Sequence, residues 1–506
     1  MIWKLFILLG AALSATASFD YIRDSFRFLD ENTDPCENFY RHACPRNDRI
    51  QELRIQHSYK NVLDRLTAKQ YDKSWENMGI YTVLKNAHGN EYPEISRLIV
   101  DIFESKCIED SDKTSFLEYV QTYLNGDHQC RYTRCLVPLA ADGNCTRAAE
   151  NLYEKINRQM GGPIQFHIKG ALDVVEEIKD ILEGASAIVD GDLREGVEKV
   201  RLLVETMIAI VDSWIEKTPW AVNHQAVSAI KTEIKQLHLY DNYAISLRNS
   251  LDYLFRLEQN YLLCVNDIGL SEEETLFCAI AADRKTELPF LEGGFSNEFG
   301  ASNWHPFVQF SYYFYDMAQN VEEFAAVLGG VGQVVGHEVS HTLIENPNSL
   351  DLIPFFSNES FQCVTNQFKR TCDTYKEDAC YIGEHQIDES GSDILGRQLA
   401  YSIFEEYYAD NMHDEYLALN SRSITFQQLF FYAYAFTTCE PAFGTDFPGA
   451  EHPPFYIRTN AIAQHPGFQE AFQCSPDSKM MQSVTEECII FGEDAPENKR
   501  HKFHAK

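Results

Sequence analysis

Apolar residues recur at every third or fourth position through most of residues 46–285, and this spacing predicts helices. The clearest stretches are 171–211 and 226–262, where charged residues fill the positions between the apolar ones. Near 285–316 the pattern changes to glycines and closely spaced aromatic residues, which indicates strands and turns. Helical spacing returns after residue 321. We therefore predict a mainly α chain with a small α+β part in its C-terminal half.

The first 17 residues have the pattern of a signal peptide. Lys4 precedes an apolar run at 5–13, and small residues follow up to Ala17. A membrane span is the alternative, but a span needs about 20 apolar residues and this run is shorter. We therefore expect cleavage near residue 17, secretion to the extracellular space and no stable membrane anchor.

The chain has 14 cysteines, and all of them follow this segment. An even number of cysteines after a signal peptide indicates a disulfide framework. Zinc-binding cysteine pairs are the alternative, but no two cysteines in the sequence have the C-x₂-C spacing. The sequons at Asn144 and Asn358 are expected glycosylation sites, which fits a secreted glycoprotein.

Acidic residues dominate the charge of the chain. There are 76 Asp and Glu against 43 Lys and Arg, for a formal net charge of −33. Nucleic-acid binding needs a basic surface that displaces counterions from phosphates, and the sequence has no basic run. We therefore exclude nucleic acid as a partner.

The first candidate for chemistry is the motif H-E-x-x-H at residues 337–341, within an apolar run that Pro347 ends. On a helix, His337 and His341 lie one turn apart on the same face, so both imidazoles can bind one metal ion. Glu338 would then reach a water on that metal. Such a pentapeptide also occurs by chance on ordinary surface helices, so by itself it favours neither interpretation.

A second motif strengthens the metal hypothesis. Glu389 and Asp393 lie one turn apart on a predicted helix that runs to about residue 409. Two histidines, one glutamate and an open position are an established ligand set of hydrolytic zinc, and Glu389 would complete this set. Asp393 would then accept a hydrogen bond from a ligand imidazole. A solvated acidic helix face is the alternative, but the spacing after H-E-x-x-H favours the zinc site.

Four segments of the sequence resemble, in the same order, the neprilysin and endothelin-converting-enzyme family of zinc endopeptidases. The first is the pattern D-P-C-x-x-F-Y-x-x-A-C at 34–44. The second is the glycine-rich run at 329–336 that precedes H-E-x-x-H and the E-x-x-x-D helix. The third is H-x-P-x-x-x-R at 452–458, and the fourth is the segment 460–474 that follows it.

The resemblance implies a zinc endopeptidase that hydrolyses extracellular peptides with one zinc ion per chain. Glu338 would be the general base that takes a proton from the zinc-activated water and passes it to the leaving amine. His452 would donate a hydrogen bond to the developing oxyanion. Arg458 would hold a carbonyl of the substrate, and His337, His341 and Glu389 would bind the metal.

The resemblance also implies a disulfide pattern and a set of domains. The disulfides would join Cys36 to Cys474, Cys44 to Cys439 and Cys363 to Cys488, with Cys372 and Cys380 left to pair locally. After the signal peptide at 1–17, the domains would be an N-terminal strip at 18–45, a helical lid domain at 46–285 and a zincin-like catalytic domain at 286–506.

The chain departs from the family in three places. The edge strand that binds the substrate backbone should contain an asparagine, for which Asn297 is nearest the expected distance and Asn303 is the alternative. Ile344 stands where the family has an acidic residue, and the neighbouring Glu345 is a possible replacement. The region 46–285 is shorter than the lid of relatives, which predicts a more open cleft and tolerance of longer substrates.

Endopeptidase activity is the function that the sequence favours. The alternative is a secreted binding or decoy protein that keeps the fold but hydrolyses peptides poorly or not at all. The weak edge strand favours the decoy, whereas the intact zinc motif and His452 favour the enzyme.

Overall fold

The computed structural model describes mainly the second half of the chain. The predicted signal peptide, Asn144, Asn297, Glu345 and most of the predicted lid domain lie outside the described residues. The residues that the structure describes are 21–45, 49–50, 78–89, 191–221, 227–268, 300–344, 357–376, 380–383, 386–418, 422–439, 450–484 and 486–496, with a few single positions between them.

Helices dominate the described ranges. In chain order they are α1 (Tyr21–Ser25), α2 (Phe39–Ala43), α3 (Gly79–Gly89), α4 (Arg194–Lys217), α5 (Val227–Gln236), α6 (Tyr243–Ile268), α7 (Tyr312–Asn320), α8 (Phe324–Val327), α9 (Gln333–Ile344), α10 (Asn358–Tyr375), α11 (Ile387–Tyr407), α12 (Phe426–Thr438), α13 (Phe455–Asn460), α14 (Pro466–Phe472) and α15 (Lys479–Gln482). The strands are β1 (His238–Leu239), β2 (Ala301–Trp304), β3 (Phe307–Phe310), β4 (Glu415–Leu417) and β5 (Ser423–Thr425).

The chain divides into two compact units, and both are discontinuous in sequence. Unit 1 contains Met1–Asp64, Gly191–Asp241 and Glu298–Lys506, and unit 2 contains Arg65–Asp190 and Asn242–Asn297.

The stretch Gly191–Asp241, which the sequence places in the lid domain, belongs to unit 1. Helix α4 buries its apolar face there and packs against α7. The approach is close at Gly196, where an added Cβ would overlap the carbonyl oxygen of Tyr315. Periodicity predicts such a helix but does not tell which core its apolar face joins.

Two adjacent helices, α9 and α11, form the centre of unit 1. Nearly every residue of α9 is buried, and α11 is buried along most of its length. A helix that is buried on all sides belongs to the interior of a large unit. A π-helical turn at Leu328–Gly332 leads into α9, and α12 packs across that turn and the short α8.

A small mixed sheet lies beside the central helices. Its strand order is β1-β3-β2, with β1 parallel and β2 antiparallel to β3. In the antiparallel pair, Asn303 faces Val308. Strand β2 also contacts α9, so it carries residues 301–304 to the helix of the H-E-x-x-H motif.

The N-terminal strip packs on α12 within unit 1. The hydroxyl of Tyr21 donates to the carbonyl of Phe436 at 2.7 Å, and His42 Nε2 lies 2.9 Å from the hydroxyl of Tyr432. Phe39 is fully buried there and contacts the ring of Phe468. The strip therefore contributes to the hydrophobic core.

Disulfides tie distant segments of unit 1 together. Cys36 is bonded to Cys474, Cys44 to Cys439 and Cys363 to Cys488, which are the same pairs that the resemblance implies, and Cys372 is bonded to Cys380.

In the described part of unit 2, α3 packs against α6. Glu258 on α6 accepts hydrogen bonds from the backbone N–H groups of Gly79 and Ile80 at the start of α3. These bonds satisfy two of the N–H groups that a helix start leaves without intrahelical partners. Cys264 at the end of α6 is bonded to Cys278.

The prediction of a mainly helical, disulfide-linked chain with a small α+β part is confirmed. None of the helices in the described ranges combines the length and apolar content that crossing a membrane requires.

Candidate metal centre

Helix α9 places both motif histidines on one buried face. His337 and His341 are 6% and 8% exposed, and their Nε2 atoms lie 3.0 Å apart. Glu338, the next residue after His337, is also buried. One nitrogen of each imidazole and a carboxylate oxygen of Glu338 lie within 4.8 Å of one another, which is a spacing that suits a metal ion.

Helix α11 brings a second carboxylate to the same point. Glu389 Oε2 lies 3.2 Å from His337 Nε2, and Glu389 Oε1 lies 3.7 Å from His341 Nε2. Oε2 is buried and has no aligned hydrogen-bond donor among the described residues. A buried carboxylate oxygen beside two imidazole nitrogens is available for a cation, so this donor set fits zinc.

Two glycines allow α9 and α11 to approach this closely. A Cβ added to Gly336 would lie 2.5 Å from the carbonyl oxygen of Gly396 and 2.8 Å from its Cα. Such distances are far below an ordinary contact of about 3.5–4.0 Å. The absence of side chains at this crossing brings the backbones together, so the histidines of α9 reach Glu389 on α11.

Asp393 connects the histidine pair to Arg458. Its Oδ1 lies 3.0 Å from His337 Nδ1, although the two groups are not aligned for a regular hydrogen bond. Both of its oxygens accept hydrogen bonds from the guanidinium of Arg458, at 2.7 Å from Nε and 2.6 Å from Nη2. This bidentate ion pair fixes the carboxylate beside His337.

The carboxylates set the protonation of this cluster. Burial alone would lower the pKa of His337, but Asp393 and Glu389 raise it to about 10. Burial opposes ionisation of Asp393 as well, yet the positive charge of Arg458 holds the pKa of that carboxyl well below its usual range. The negative field that holds a proton on His337 also attracts a divalent cation, and the two compete for the same nitrogen.

Glu338 has a different environment from the other carboxylates. Burial is the largest influence on it and raises its pKa above the ordinary value of a glutamate. A carboxyl group whose pKa lies above its usual range can exchange a proton nearer neutral pH.

His452 lies at the accessible edge of the site. Its side chain is 39% exposed, and its Nε2 lies 3.0 Å from Glu389 Oε2. Burial raises the pKa of Glu389, but the imidazoles of His337 and His452 close to its carboxylate outweigh this and lower it. The structure thus brings six predicted site residues together, which are His337, Glu338, His341, Glu389, Asp393 and His452, with Arg458 behind Asp393.

The asparagine of the edge strand is the weakest part of the predicted site. Asn297 lies outside the described residues. The alternative, Asn303, lies in β2, and its side-chain amide donates to Glu338 O at 2.5 Å and to Thr342 Oγ1 at 2.8 Å. This amide therefore fastens β2 to α9.

The sequence reasoning missed Ser392. Its Oγ lies 3.3 Å from Nδ1 of His341, the nitrogen opposite the one that faces Glu389. Ile344, which stands where the family has an acidic residue, is buried, and its side chain lies over Gly391. Ser392 is three positions after Glu389 and so shares its helix face, which is the signal that would have identified it.

Comparison with known proteins relates this site to a peptidase family. Residues 310–488 match the model of peptidase family M13, and the match includes the six clustered residues and Arg458 but neither Asn297 nor Asn303. Membrane metallo-endopeptidase-like 1 from Mus musculus is 29% identical over 168 residues, or 30% of this chain and 22% of that protein. Endothelin-converting enzyme 1 from Cavia porcellus is 26% identical over 169 residues, with the same shares. Neprilysin-1 from Caenorhabditis elegans is 26% identical over 183 residues, or 32% of this chain and 23% of that protein. The matched segment thus spans less than a quarter of each of these relatives.

Among solved structures, a Haemonchus galactose-containing glycoprotein complex aligns with 92% of this chain and 98% of its own, at a TM-score of 0.48 and 14% identity. The zinc metalloprotease Zmp1 from Mycobacterium tuberculosis aligns with 69% of this chain and 58% of its own, at a TM-score of 0.42 and 14% identity. The family model and the curated relatives match the same part of the chain, which carries the buried His, His and Glu side chains, and this agreement supports membership of the neprilysin and endothelin-converting-enzyme family, peptidase family M13.

Proposed function

We propose that this chain is a secreted zinc-dependent endopeptidase that hydrolyses extracellular peptides. The observation that supports this most is the convergence of His337 and His341 from α9 with Glu389 from α11, at nitrogen and oxygen distances of 3.0, 3.2 and 3.7 Å. Such a set leaves a fourth position open for water or substrate, as in hydrolytic zinc sites. The disulfides fit an oxidising secretory route.

The three ligands would hold one zinc ion per chain. When bound, zinc supplies Lewis acidity, which makes a water more acidic and polarises the peptide carbonyl. Asp393 would orient the imidazole of His337 through Nδ1, and Ser392 would do the same for His341. Partners of this kind fix the tautomer and the ring plane of a ligand histidine.

Glu338 would move the proton. It follows His337 on α9 and is buried beside both ligand imidazoles, and its raised pKa suits an acceptor that later becomes a donor. Glu338 would accept a proton from the attacking water and return it to the nitrogen of the leaving amine.

His452 and Arg458 would bind the substrate. His452 is the most accessible of the site residues, and a donor at the edge of the site suits an oxyanion that develops there. The Arg458 guanidinium is held by Asp393, so its position is fixed before substrate arrives. Asp393 would therefore affect both the binding of a substrate carbonyl by Arg458 and the orientation of His337.

The experiment that tests the proposal separates the metal from the proton. Glu389→Gln should lower the zinc content of the purified protein, because a direct ligand is weakened. Glu338→Gln should keep zinc and abolish cleavage of a diverse peptide library. Glu415→Gln, on the exposed β4, is the matched control and should keep both. Cleavage by Glu338→Gln at the parental rate would refute the assigned mechanism.

A peptide-binding decoy is the second candidate function. It is favoured by Asn303, whose amide is bonded to α9 in the strand next to the motif. In that case zinc-loaded protein would bind peptides from the library and leave them uncut, and Glu338→Gln would change neither result. Detection of cut bonds that disappear in Glu338→Gln would exclude it.

A further inference from the structure

A fully buried arginine stands beside the metal centre. Arg397 is on α11, one turn after Asp393, and is 0% exposed. Its Nη2 donates to the hydroxyl of Tyr434 at 3.0 Å, and its Cζ lies 4.8 Å from the centre of that ring. Its Nε and Nη1 are buried, and neither has a hydrogen-bond acceptor in the part of the chain that the structure describes.

The positive charge of Arg397 therefore lacks an anionic partner among the described residues. Asp393, the carboxylate one turn away, has both oxygens bonded to Arg458. An arginine cannot escape the cost of burial by losing its proton. A buried ion without a counter-charge costs several kcal/mol, so buried charges in proteins are paired.

A second donor without a partner among the described residues is on Gln464, which precedes His465, a residue on which the positive charge of Arg397 acts. Gln464 is buried, its Oε1 accepts a hydrogen bond from the backbone N–H of Cys488 at 2.9 Å, and its Nε2 has no acceptor among the described residues. Because Oε1 must face that N–H, the amide nitrogen must face the other way. The adjacent His465 packs edge-on against Tyr401, one turn after Arg397, with ring centres 4.4 Å apart.

His465 does not supply the missing negative charge. Burial first, and then the positive charge of Arg397, lower its pKa to about 3, so its ring is neutral at physiological pH. Its Nδ1 accepts a hydrogen bond from the backbone N–H of Gly467, so a proton on the neutral ring resides on Nε2. The ring of His465 therefore offers no negative charge to the Arg397 guanidinium.

We propose that unit 1 binds a buried chloride ion at Nε and Nη1 of Arg397, with the Gln464 amide as a further donor. A small monovalent ion matches one unpaired guanidinium in an enclosed setting. The charge balance also fits if the proposed zinc is present. The positive charges of zinc, Arg397 and Arg458 then exceed the negative charges of the three carboxylates by one. The carboxylates are those of Glu338, Glu389 and Asp393.

The site has a direct connection to the substrate-binding arginine. The Tyr434 hydroxyl accepts from Arg397 and donates to the backbone carbonyl of Arg458 at 3.0 Å. An anion that fixes the Arg397 guanidinium would thereby hold the backbone from which Arg458 extends. If the proposed endopeptidase function is correct, chloride should lower KM and leave kcat nearly unchanged.

The test uses the full-length protein exchanged into sodium gluconate. Replacing gluconate by chloride at constant ionic strength should raise the melting temperature to a plateau in the parent protein. Arg397→Leu should remove this rise, whereas Arg370→Leu, which changes an exposed arginine on α10 that donates to the carbonyl of Gln482, should keep it. Crystals soaked in bromide should give an anomalous peak next to Arg397.

These readouts need no hydrolysis, so the chloride site and the endopeptidase proposal can fail separately. Absence of a bromide peak at Arg397 in the parent crystals would overturn the inference. The same conclusion would follow if Arg397→Leu and the parent responded equally to chloride. The bromide experiment uses only the parent protein, so it decides the matter even if Arg397→Leu does not fold.

Discussion

Gly336→Ala should damage the metal centre without changing any of its side chains. The new Cβ would lie 2.5 Å from the carbonyl oxygen and 3.0 Å from the carbonyl carbon of Gly396, and both are backbone atoms. These atoms belong to the middle of α11 and cannot rotate away. The two helices must therefore separate, by roughly 1 Å if ordinary contact is to be restored.

Gly336→Ala should have two separate effects, one on the free energy of unfolding and one on zinc affinity. Overpacking of this kind costs about 1–3 kcal/mol of the free energy of unfolding. Because the histidines are on α9 and Glu389 is on α11, the same movement widens the ligand set. We expect zinc affinity to fall about tenfold or more and kcat/KM to fall about 100-fold.

Gly332→Ala is the matched control. A Cβ at Gly332 would lie 3.4 Å from Cδ2 of Leu328, the end of a flexible side chain, and this is an ordinary contact. Both changes remove the same backbone freedom of a glycine, so their difference isolates the helix crossing. Urea unfolding of the metal-free protein and competitive zinc titration with a chromophoric chelator measure the two effects. Equal stability and equal zinc affinity for Gly336→Ala and Gly332→Ala would refute the reasoning.

Three further predictions concern other parts of unit 1. Ser392→Ala should weaken zinc binding about 10-fold in the same titration, because the partner of the His341 imidazole is lost, and Ser392→Thr should restore it. The pKa of His465 is lowered to about 3 in the folded protein, below the unfolded value of about 6.5. Its contribution to stability is therefore present above pH 6.5 and is lost as the pH falls from there toward 3. His465→Asn keeps an acceptor for the helix start and should remove about 1.4 kcal/mol per pH unit from the slope of unfolding free energy against pH between 4 and 6. Replacing both Cys36 and Cys474 by alanine should lower the free energy of unfolding by about 2–5 kcal/mol in urea, and an unchanged midpoint would contradict the role of this disulfide.

Local spacing carried most of the information about the metal centre. His337 and His341 share a face because four residues make about one helical turn, and the same rule pairs Glu389 with Asp393. The family resemblance then related the two helices to each other and to Arg458.

The features that the sequence reasoning did not supply depend on packing between distant segments. Ser392 approaches His341 only because α9 and α11 cross at their glycines. Arg397 is of a residue type that is almost never fully buried, and its burial accompanies a hydrogen bond to Tyr434 of the neighbouring α12. Periodicity also could not assign Gly191–Asp241 to unit 1, because the apolar face of a helix is the same whichever core receives it.

The long disulfides of unit 1 can close only late in synthesis. Cys36 and its partner Cys474 are separated by 438 positions, and Cys44 and Cys439 by 395. At about 5–20 residues per second, roughly 20–90 s pass between synthesis of the first cysteine and of its partner. During that interval Cys36 and Cys44 are unpaired neighbours across α2, each the nearest wrong partner of the other. An early disulfide between Cys36 and Cys44 would have to be exchanged before either could reach its partner, and both long disulfides close only after nearly the whole polypeptide has been synthesised.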